Sequence, residues 1–292
     1  MCGTAYSKIH TALQPFNSYT LFCSWKTSPA VYQKWIEQEI HAMANTLSED
    51  QINLSARFPR DLHDFVRRAV AQCCALDIID DGSYDETATE HHLEVMSTKY
   101  AHDNYLTYIF PEETALLYAV VRNFRPRRAA FMGSYYGYWA ASAKAAFSEM
   151  DIALFDLDST VMELAIRNFE ELGLASNAVF EVGDAEALVK NLRDIDLLVL
   201  DATGPNSNDI PTDYRDKAIY YPHLGAAFDM LKPGGLLVAH NVILSNFTNG
   251  SYFEAKQQNY REQYTKFLPF VQEHFRYIVV DTTQGVMVAR KL

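Results

Sequence analysis

Short apolar runs alternate with amphipathic segments from residue 128 to the end of the chain. Two alternating segments, over residues 276–281 and 286–290, are joined by Thr-Thr-Gln-Gly and predict a β-hairpin. The apolar runs have strand length and are separated by helical patterns. They cover residues 129–132, 152–155, 178–182, 195–200 and 236–240. The pattern predicts an α/β fold whose mostly parallel sheet of seven strands ends in an antiparallel hairpin.

The first hundred residues contain helical patterns and no convincing strand ladder. Helices are predicted to begin at Ser28-Pro29 and at Pro59, and a shorter one covers residues 90–96. We therefore expect two parts, a helical N-terminal cap over residues 1–100 and an α/β domain over residues 101–292.

Further helices are predicted in the α/β domain, between the strands. They begin at Pro111, cover residues 138–147 and 159–172, and continue over residues 214–231 and 253–270. Pro222 is expected to interrupt the helix over residues 214–231, because proline lacks the amide that a helix interior requires.

Composition narrows the possible partners. The chain has 292 residues, 49% of them hydrophobic, and a formal net charge of −12. An acidic chain lacks the basic surface that neutralises phosphates, so no nucleic-acid partner is expected. No apolar run reaches about 18 residues, and we expect no membrane span. The N-terminus lacks a secretion signal and the four cysteines match no zinc spacing, so a reducing cytoplasm is the expected location.

Residues 128–158 combine a strand, a glycine turn, a helix and a second strand that ends in acid. Gly133 and Gly137 bracket the turn, and Asp156 follows about 20 residues later. In doubly wound sheets the glycines let the backbone approach a ligand, and the acid accepts hydrogen bonds from ribose hydroxyls. The stretch predicts a domain that binds a nucleoside cofactor.

The motifs occur in the order found in class I S-adenosylmethionine (SAM) dependent methyltransferases. They are FMGSYYGYWA, FDLD, VGDA, LLVLDA, LKPGGLLVAHNV and QGVMVARK. Over about residues 100–292 the chain resembles this superfamily, and most closely the small-molecule O-methyltransferases of the catechol and caffeoyl-CoA type. The resemblance implies a Rossmann-like SAM-methyltransferase fold, with SAM as the cofactor and a small molecule as the partner.

The resemblance also implies positions for the parts of SAM. The turn from Gly133 to Gly137 would cup the methionine part, Asp156 would hold the ribose hydroxyls, and Asp184-Ala185 would flank the adenine. Asp201 would lie close to the sulfonium and the amino group. The implied cofactor-binding residues are Gly133, Ser134, Tyr135, Gly137, Asp156, Leu157, Asp184, Ala185 and Asp201.

The chain departs from the catechol-type pattern at its metal site. Those enzymes hold a divalent cation with an aspartate after the fourth strand and an Asp-Asn pair after the fifth, and a lysine often follows the first aspartate closely. Here no lysine follows Asp201 closely, and the pair is His240-Asn241. Hard cations prefer carboxylate oxygens, so we expect no metal, and a softer metal bound by Asp201, His240 and Asn241 is the alternative. The predicted catalytic residues are Asp201, His240, Asn104 and Tyr105, with His240 or a pocket tyrosine as the base.

A fainter resemblance is to nicotianamine synthases, which transfer the aminobutyrate group of SAM. It rests on Asn104-Tyr105-Leu106 and on the residues from Pro126 to Ser134. Three functions therefore stay open. One is metal-independent methyl transfer to a small molecule, with SAM as cosubstrate. Another is aminobutyrate chemistry that releases methylthioadenosine, including cyclisation of SAM as the sole substrate to azetidine-2-carboxylate. The third is non-catalytic SAM binding. A homodimer built through the helical region is also expected.

Overall fold

The computed structural model describes residues 61–242, apart from residues 106, 108, 206 and 208, and residues 261–292. The predicted helix starts at Ser28-Pro29 and Pro59, and most of the helix predicted over residues 253–270, lie outside these residues. The prediction that residues 1–100 form a cap therefore stays a prediction.

Seven strands form one mixed sheet in the order β3-β2-β1-β4-β5-β7-β6. The first five pair in parallel, and β7 is antiparallel to both β5 and β6. Their bounds are β1 Arg128–Met132, β2 Asp151–Asp156, β3 Ala178–Val182, β4 Ile195–Leu200, β5 Leu231–His240, β6 Phe275–Val280 and β7 Val286–Lys291. The sheet confirms the predicted fold. Because the strand order reverses at β1, the ligand site is expected beyond the carboxyl ends of β1 and β4.

Side chains alternate between the two faces of the sheet, and both faces are covered. Ala129 and Phe131 face one apolar core, and Ala130 and Met132 face the other. The first core lies under α1 Leu62–Ala75, α2 Glu86–Lys99, α3 Pro111–Phe124, α4 Tyr138–Ala146 and α5 Ser159–Glu171. The second lies under α6 Ala185–Val189, α7 Tyr220–Ala227 and α8 Phe267–His274. Burial on both faces explains why β1, β2, β4 and the second half of β5 are apolar runs without polar alternation.

Three predicted boundaries were wrong. The helix expected over residues 90–96 begins at Glu86, because the Asp85 side chain accepts a hydrogen bond from the Ala88 amide and caps it. The helix expected over residues 214–231 is a 3-10 helix at Lys217–Ile219 followed by α7, and Pro222 lies in the first turn of α7, where a missing amide costs nothing. Strand β5 begins at Leu231, five residues early, and pairs with β4 across a register shift.

The segment that connects α1 to α2 forms surface ion pairs with the C-terminal hairpin. Arg276 of β6 contacts Asp77 at 2.9 Å, and Arg290 of β7 contacts Asp80 at 2.7 Å.

Within the described ranges, none of the helices combines the length and the apolar character that crossing a bilayer requires.

Candidate active site

A cavity of about 1060 Å3 opens at the carboxyl ends of the parallel strands. Its walls come mainly from the segments that follow β1 to β5, which is where the strand order predicts a ligand site. Most of the predicted cofactor-binding residues line it, namely Gly133, Ser134, Tyr135, Asp156, Leu157, Asp184, Ala185 and Asp201. His240 and Asn241 line it as well.

The glycine turn after β1 is held against two neighbouring strand ends. Gly133 has φ +80°, and a Cβ atom there would lie 2.3 Å from the Cα atom of Ala202, so a side chain is excluded. The amides of Gly133 and Ser134 both donate to the Phe155 carbonyl at 3.0 Å. The turn therefore brings its backbone close to the ends of both β2 and β4.

Asp156, at the end of β2, is oriented by this turn. Its Oδ2 atom accepts a hydrogen bond of 2.7 Å from the amide of Tyr135, which has φ +52°. Its Oδ1 atom accepts a longer one, 3.2 Å, from the Asp158 amide. Burial raises the pKa of the Asp156 carboxyl, although these backbone hydrogen bonds oppose the effect. The carboxylate is therefore a fixed acceptor at the wall of the cavity.

The side of the cavity next to α6 contains a second group of polar residues. Asp184 caps α6 through a 3.0 Å hydrogen bond from the Glu186 amide. His223, from α7, is buried, and burial lowers its pKa to about 4, so its ring is neutral at pH 7. Two buried atoms of the cavity lining, Nδ1 of His223 and Oγ of Ser134, have no hydrogen-bond partner among the described residues. Such atoms are available to a bound ligand.

Three predicted site residues do not line the cavity. Gly137 is the N-cap of α4, where a Cβ atom would lie 3.0 Å from that of Ala165, so its role here is helix packing. Asn104 is exposed. Tyr105 is half-buried and lies one layer behind the wall, with its ring 5.8 Å from that of Tyr135 and 6.1 Å from that of Tyr136.

His240 lies between two carboxylates. Its Nδ1 atom is 3.1 Å from Oδ1 of Asp201, and its Nε2 atom is 3.0 Å from Oε2 of Glu113. Burial on its own would lower the pKa of His240, but the charges and hydrogen bonds of Asp201 and Glu113 outweigh it and raise the pKa to about 9. Burial would likewise raise the pKa of Asp201, and His240 and Lys217 outweigh it and lower that pKa. His240 is therefore an imidazolium whose two nitrogens are both engaged.

Two members of this cluster, Lys217 and Glu113, were not predicted from the sequence. Lys217 is buried, and its Nζ atom is 3.2 Å from Oδ1 of Asp201, so the structure supplies a lysine that the segment directly after Asp201 lacks. Glu113 is fully buried and accepts hydrogen bonds from the hydroxyl of Thr282 at 2.8 Å and from the amide of Gln284 at 2.7 Å. The available signal was weak, an acidic pair at the start of an apolar helix.

Asp201, His240 and Asn241 do not fit a magnesium site. A metal ligand must offer a free lone pair, and both nitrogens of the charged His240 ring are bound to carboxylates. In the part of the chain that the structure describes, no group of three His, Cys, Asp or Glu side chains is arranged to hold a metal ion.

Comparison with known proteins supports the fold. No protein-family model matches the chain, and no curated protein sequence matches it. An SAH-bound methyltransferase of Podospora anserina superposes with a TM-score of 0.52 at 17% identity, over 78% of this chain and 96% of that one. SAH is S-adenosylhomocysteine, the demethylated form of SAM.

Two further structures are similar with lower scores. A methyltransferase from Geobacter sulfurreducens has a TM-score of 0.48 at 19% identity, over 72% of this chain and 91% of that one. An O-methyltransferase from Bacillus cereus in complex with SAH has a TM-score of 0.47 at 15% identity, over 80% and 100%. The similarity to the Podospora structure shows the fold alone. The chain has the Rossmann-like fold of SAM-dependent methyltransferases.

Proposed function

We propose that the chain is a SAM-dependent transferase that binds SAM in this cavity and acts on a small molecule. The observation that carries the proposal is the 2.7 Å hydrogen bond from the Tyr135 amide to Asp156. This hydrogen bond connects the glycine turn to the Asp156 carboxylate. In a nucleoside site the backbone of such a turn approaches the ligand and the carboxylate accepts hydrogen bonds from the ribose hydroxyls, so both parts of the site form one unit here.

The other residues of the cavity suit the remaining parts of SAM. The buried Ser134 hydroxyl, which has no partner among the described residues, would contact the methionine part, and Asp184 and Ala185, which line the cavity, would flank the adenine. When bound, SAM supplies electrophilic carbons attached to a sulfonium. The rings of Tyr138 and Trp139 line the same cavity, and aromatic faces attract such a cation.

The first candidate reaction is methyl transfer without a metal. His240 is a poor base, because neither ring nitrogen is free. Tyr136, one of the tyrosines that line the cavity, is no better as a base. Its hydroxyl forms a hydrogen bond of 2.8 Å with Nδ1 of His102, and burial raises the pKa of the Tyr136 phenol well above the usual range, so the phenol stays neutral. The protein would then accelerate the reaction by holding the nucleophile in line with the methyl group and by excluding water.

The second candidate is aminobutyrate chemistry, including cyclisation of SAM. The observation in its favour is the state of His240, the predicted base, which is charged and has both ring nitrogens bound to carboxylates. Attack by the amine of SAM on its own γ-carbon needs no separate acceptor, and therefore no base directed at one. It does require a folded aminobutyrate chain and an uncharged amine.

Mass spectrometry of the purified protein incubated with SAM alone separates these candidates. Methylthioadenosine together with a four-membered-ring amino acid, above a protein-free control, would support the second candidate and contradict the first. Intact SAM would exclude self-cyclisation, and SAH formed with one of a panel of phenols, amines and carboxylates would support methyl transfer. Tight binding without any product would support the non-catalytic alternative.

Calorimetry with SAH tests the proposed site itself. Asp156→Asn is expected to weaken SAH binding about tenfold or more, because the ribose loses a charged acceptor. Asp158→Asn is the matched control, since Asp158 lines the same cavity but its side chain caps α5 by accepting from the Thr160 amide at 2.8 Å. Absence of SAM and SAH binding by the wild-type protein would contradict the proposal.

A further inference from the structure

Four ionisable side chains from four separate segments form one charged group beside the cavity. Glu113 comes from the first turn of α3, Asp201 follows β4, Lys217 lies in the 3-10 helix before α7, and His240 ends β5. Glu113, Lys217 and His240 are buried, and the Asp201 side chain keeps 26% of its exposure. Charges that are withdrawn from water to this extent must compensate one another or be compensated by a ligand.

Glu113 uses all the acceptor positions of its carboxylate within the protein. Its Oε1 atom accepts hydrogen bonds from the Thr282 hydroxyl at 2.8 Å and from the Gln284 amide at 2.7 Å. Its Oε2 atom accepts one from the Phe110 amide at 2.8 Å and lies 3.0 Å from Nε2 of His240. A carboxylate has about four such positions, and four donors around it favour its ionised form.

His240 and Lys217 are the cations of the charged group. The ring nitrogens of His240 lie 3.1 Å from Oδ1 of Asp201 and 3.0 Å from Oε2 of Glu113, so the ring donates on both sides and carries both protons. The ammonium of Lys217 has three donors and three acceptors. These are Oδ1 of Asp201 at 3.2 Å, the Asp201 carbonyl at 3.2 Å and the Ala202 carbonyl at 3.1 Å.

The charges within this group cancel. Two carboxylates face two cations, and the ion pairs that join them are 3.0 to 3.2 Å long. The adjacent Glu112 adds no charge at pH 7, because its burial and the charge of Glu113 raise its pKa to about 8. A divalent cation would therefore bring uncompensated charge into a buried group that is already neutral, and would lie next to two cations.

We propose that His240 and Lys217 together are an internal substitute for a divalent cation, with the His240 ring filling the space between the two carboxylates of the group. The group is therefore closed to metal ions in this chain, and replacing the His240 ring by a carboxylate opens it. For the proposed function this means that Asp201 stays ionised without a metal and that no acceptor is held by chelation.

Titration with Mn²⁺ alone at pH 7, followed by electron paramagnetic resonance of the free ion, tests this inference. His240→Asp replaces a cation of the group by a carboxylate, and hard cations bind to clustered carboxylates. The variant is expected to bind Mn²⁺ with a Kd on the order of 10⁻⁴ to 10⁻³ M, at least about tenfold more tightly than the wild-type protein. Equal affinities of the two proteins, or no binding by the variant, would overturn the inference.

Adding Asp201→Asn to His240→Asp is the matched control. It keeps the size of the side chain and removes one of the two original carboxylates, so the gained Mn²⁺ affinity is expected to fall about tenfold or more. An unchanged affinity would mean that the ion binds elsewhere, which contradicts the inference.

If His240→Asp fails to fold, NMR of the wild-type protein with Mn²⁺ still decides. A paramagnetic ion broadens nearby resonances, and those of the His240 ring are expected to stay sharp. Their selective broadening would show that a metal enters the group and would refute the inference. These measurements use no SAM, so a failure of the wild-type protein to bind SAM or SAH would contradict only the proposed function.

Discussion

Raising the pH from 6.5 to about 9.5 is expected to lower the free energy of unfolding by about 3 kcal/mol through His240 alone. The pKa of His240 is about 9 in the folded protein, whereas a histidine without these interactions, as in the unfolded chain, has a pKa of 6.5. A base with a raised folded pKa stabilises the protein fully below pH 6.5 and loses this contribution as the pH rises through 9. The side chain is buried, so solvent does not screen its two ion pairs.

The direct assay is an NMR titration of the imidazole resonances. The chain contains nine histidines, and the signal of His240 is the one missing from His240→Gln. We expect this resonance to titrate with a midpoint near pH 9. Thermal unfolding followed over the same range should show the midpoint falling by roughly 5–10 °C.

Glu112 must be separated from this effect. It is fully buried, and burial together with the charge of Glu113 raises its pKa to about 8. A carboxyl group with a raised folded pKa also loses stability as the pH rises, here from 4.5 to about 8. Glu112→Gln removes this component, and the remaining loss between about pH 6.5 and 9.5 belongs to His240.

His223→Gln is the matched histidine control. Because the pKa of His223 is lowered to about 4 by burial, it is neutral in both the folded and unfolded states above pH 7, and its replacement should leave the pH dependence there unchanged. A His240 resonance that titrates at or below pH 6.5 would refute the reasoning, since it would mean that desolvation outweighs the two carboxylates.

Two further predictions concern the turn and the segment leading into the α/β domain. Gly133→Ala is expected to lower the free energy of unfolding by about 3 kcal/mol or more, because left-handed backbone strain adds to a 2.3 Å clash with Ala202. The control is Gly173→Ala, since Gly173 has φ +70° and nothing lies within 4 Å of the added Cβ atom. Its cost, measured by chemical denaturation, should be only about 1 kcal/mol. Equal costs would contradict the reasoning, because they would mean that the approach to Ala202 adds nothing to the cost of the left-handed backbone. Asn168→Ala is expected to cost about 2 kcal/mol, since its buried side chain makes hydrogen bonds of 2.8 and 2.9 Å with the Ala101 backbone. Asn123→Ala removes two comparable bonds at the surface, to the carbonyls of Asp81 and Ser83, and a loss as large as that of Asn168→Ala would contradict the role of burial.

The apolar runs and the glycine turn determined the sheet in advance. A strand segment buried on both faces must be apolar, so β1, β2, β4 and the second half of β5 are visible as runs in the sequence. Gly133 and Asp156 were also recognisable, because the turn and the acid that ends the next strand belong to one local unit of about 25 residues. Signals of this kind depend only on residues that are neighbours along the chain, so they can be recognised without the tertiary structure.

The partners of Asp201 and His240 were decided by the tertiary structure. Lys217 reaches Asp201 from 16 residues away through a loop, and Glu113 reaches His240 from 127 residues away. Asn104 is exposed and does not line the cavity, although its motif resembled a pocket segment. Which side chains meet depends on loop paths and on the packing of α3 over the sheet. The sequence pattern predicts the elements, but the charges that they bring together depend on distances between elements that no local pattern encodes.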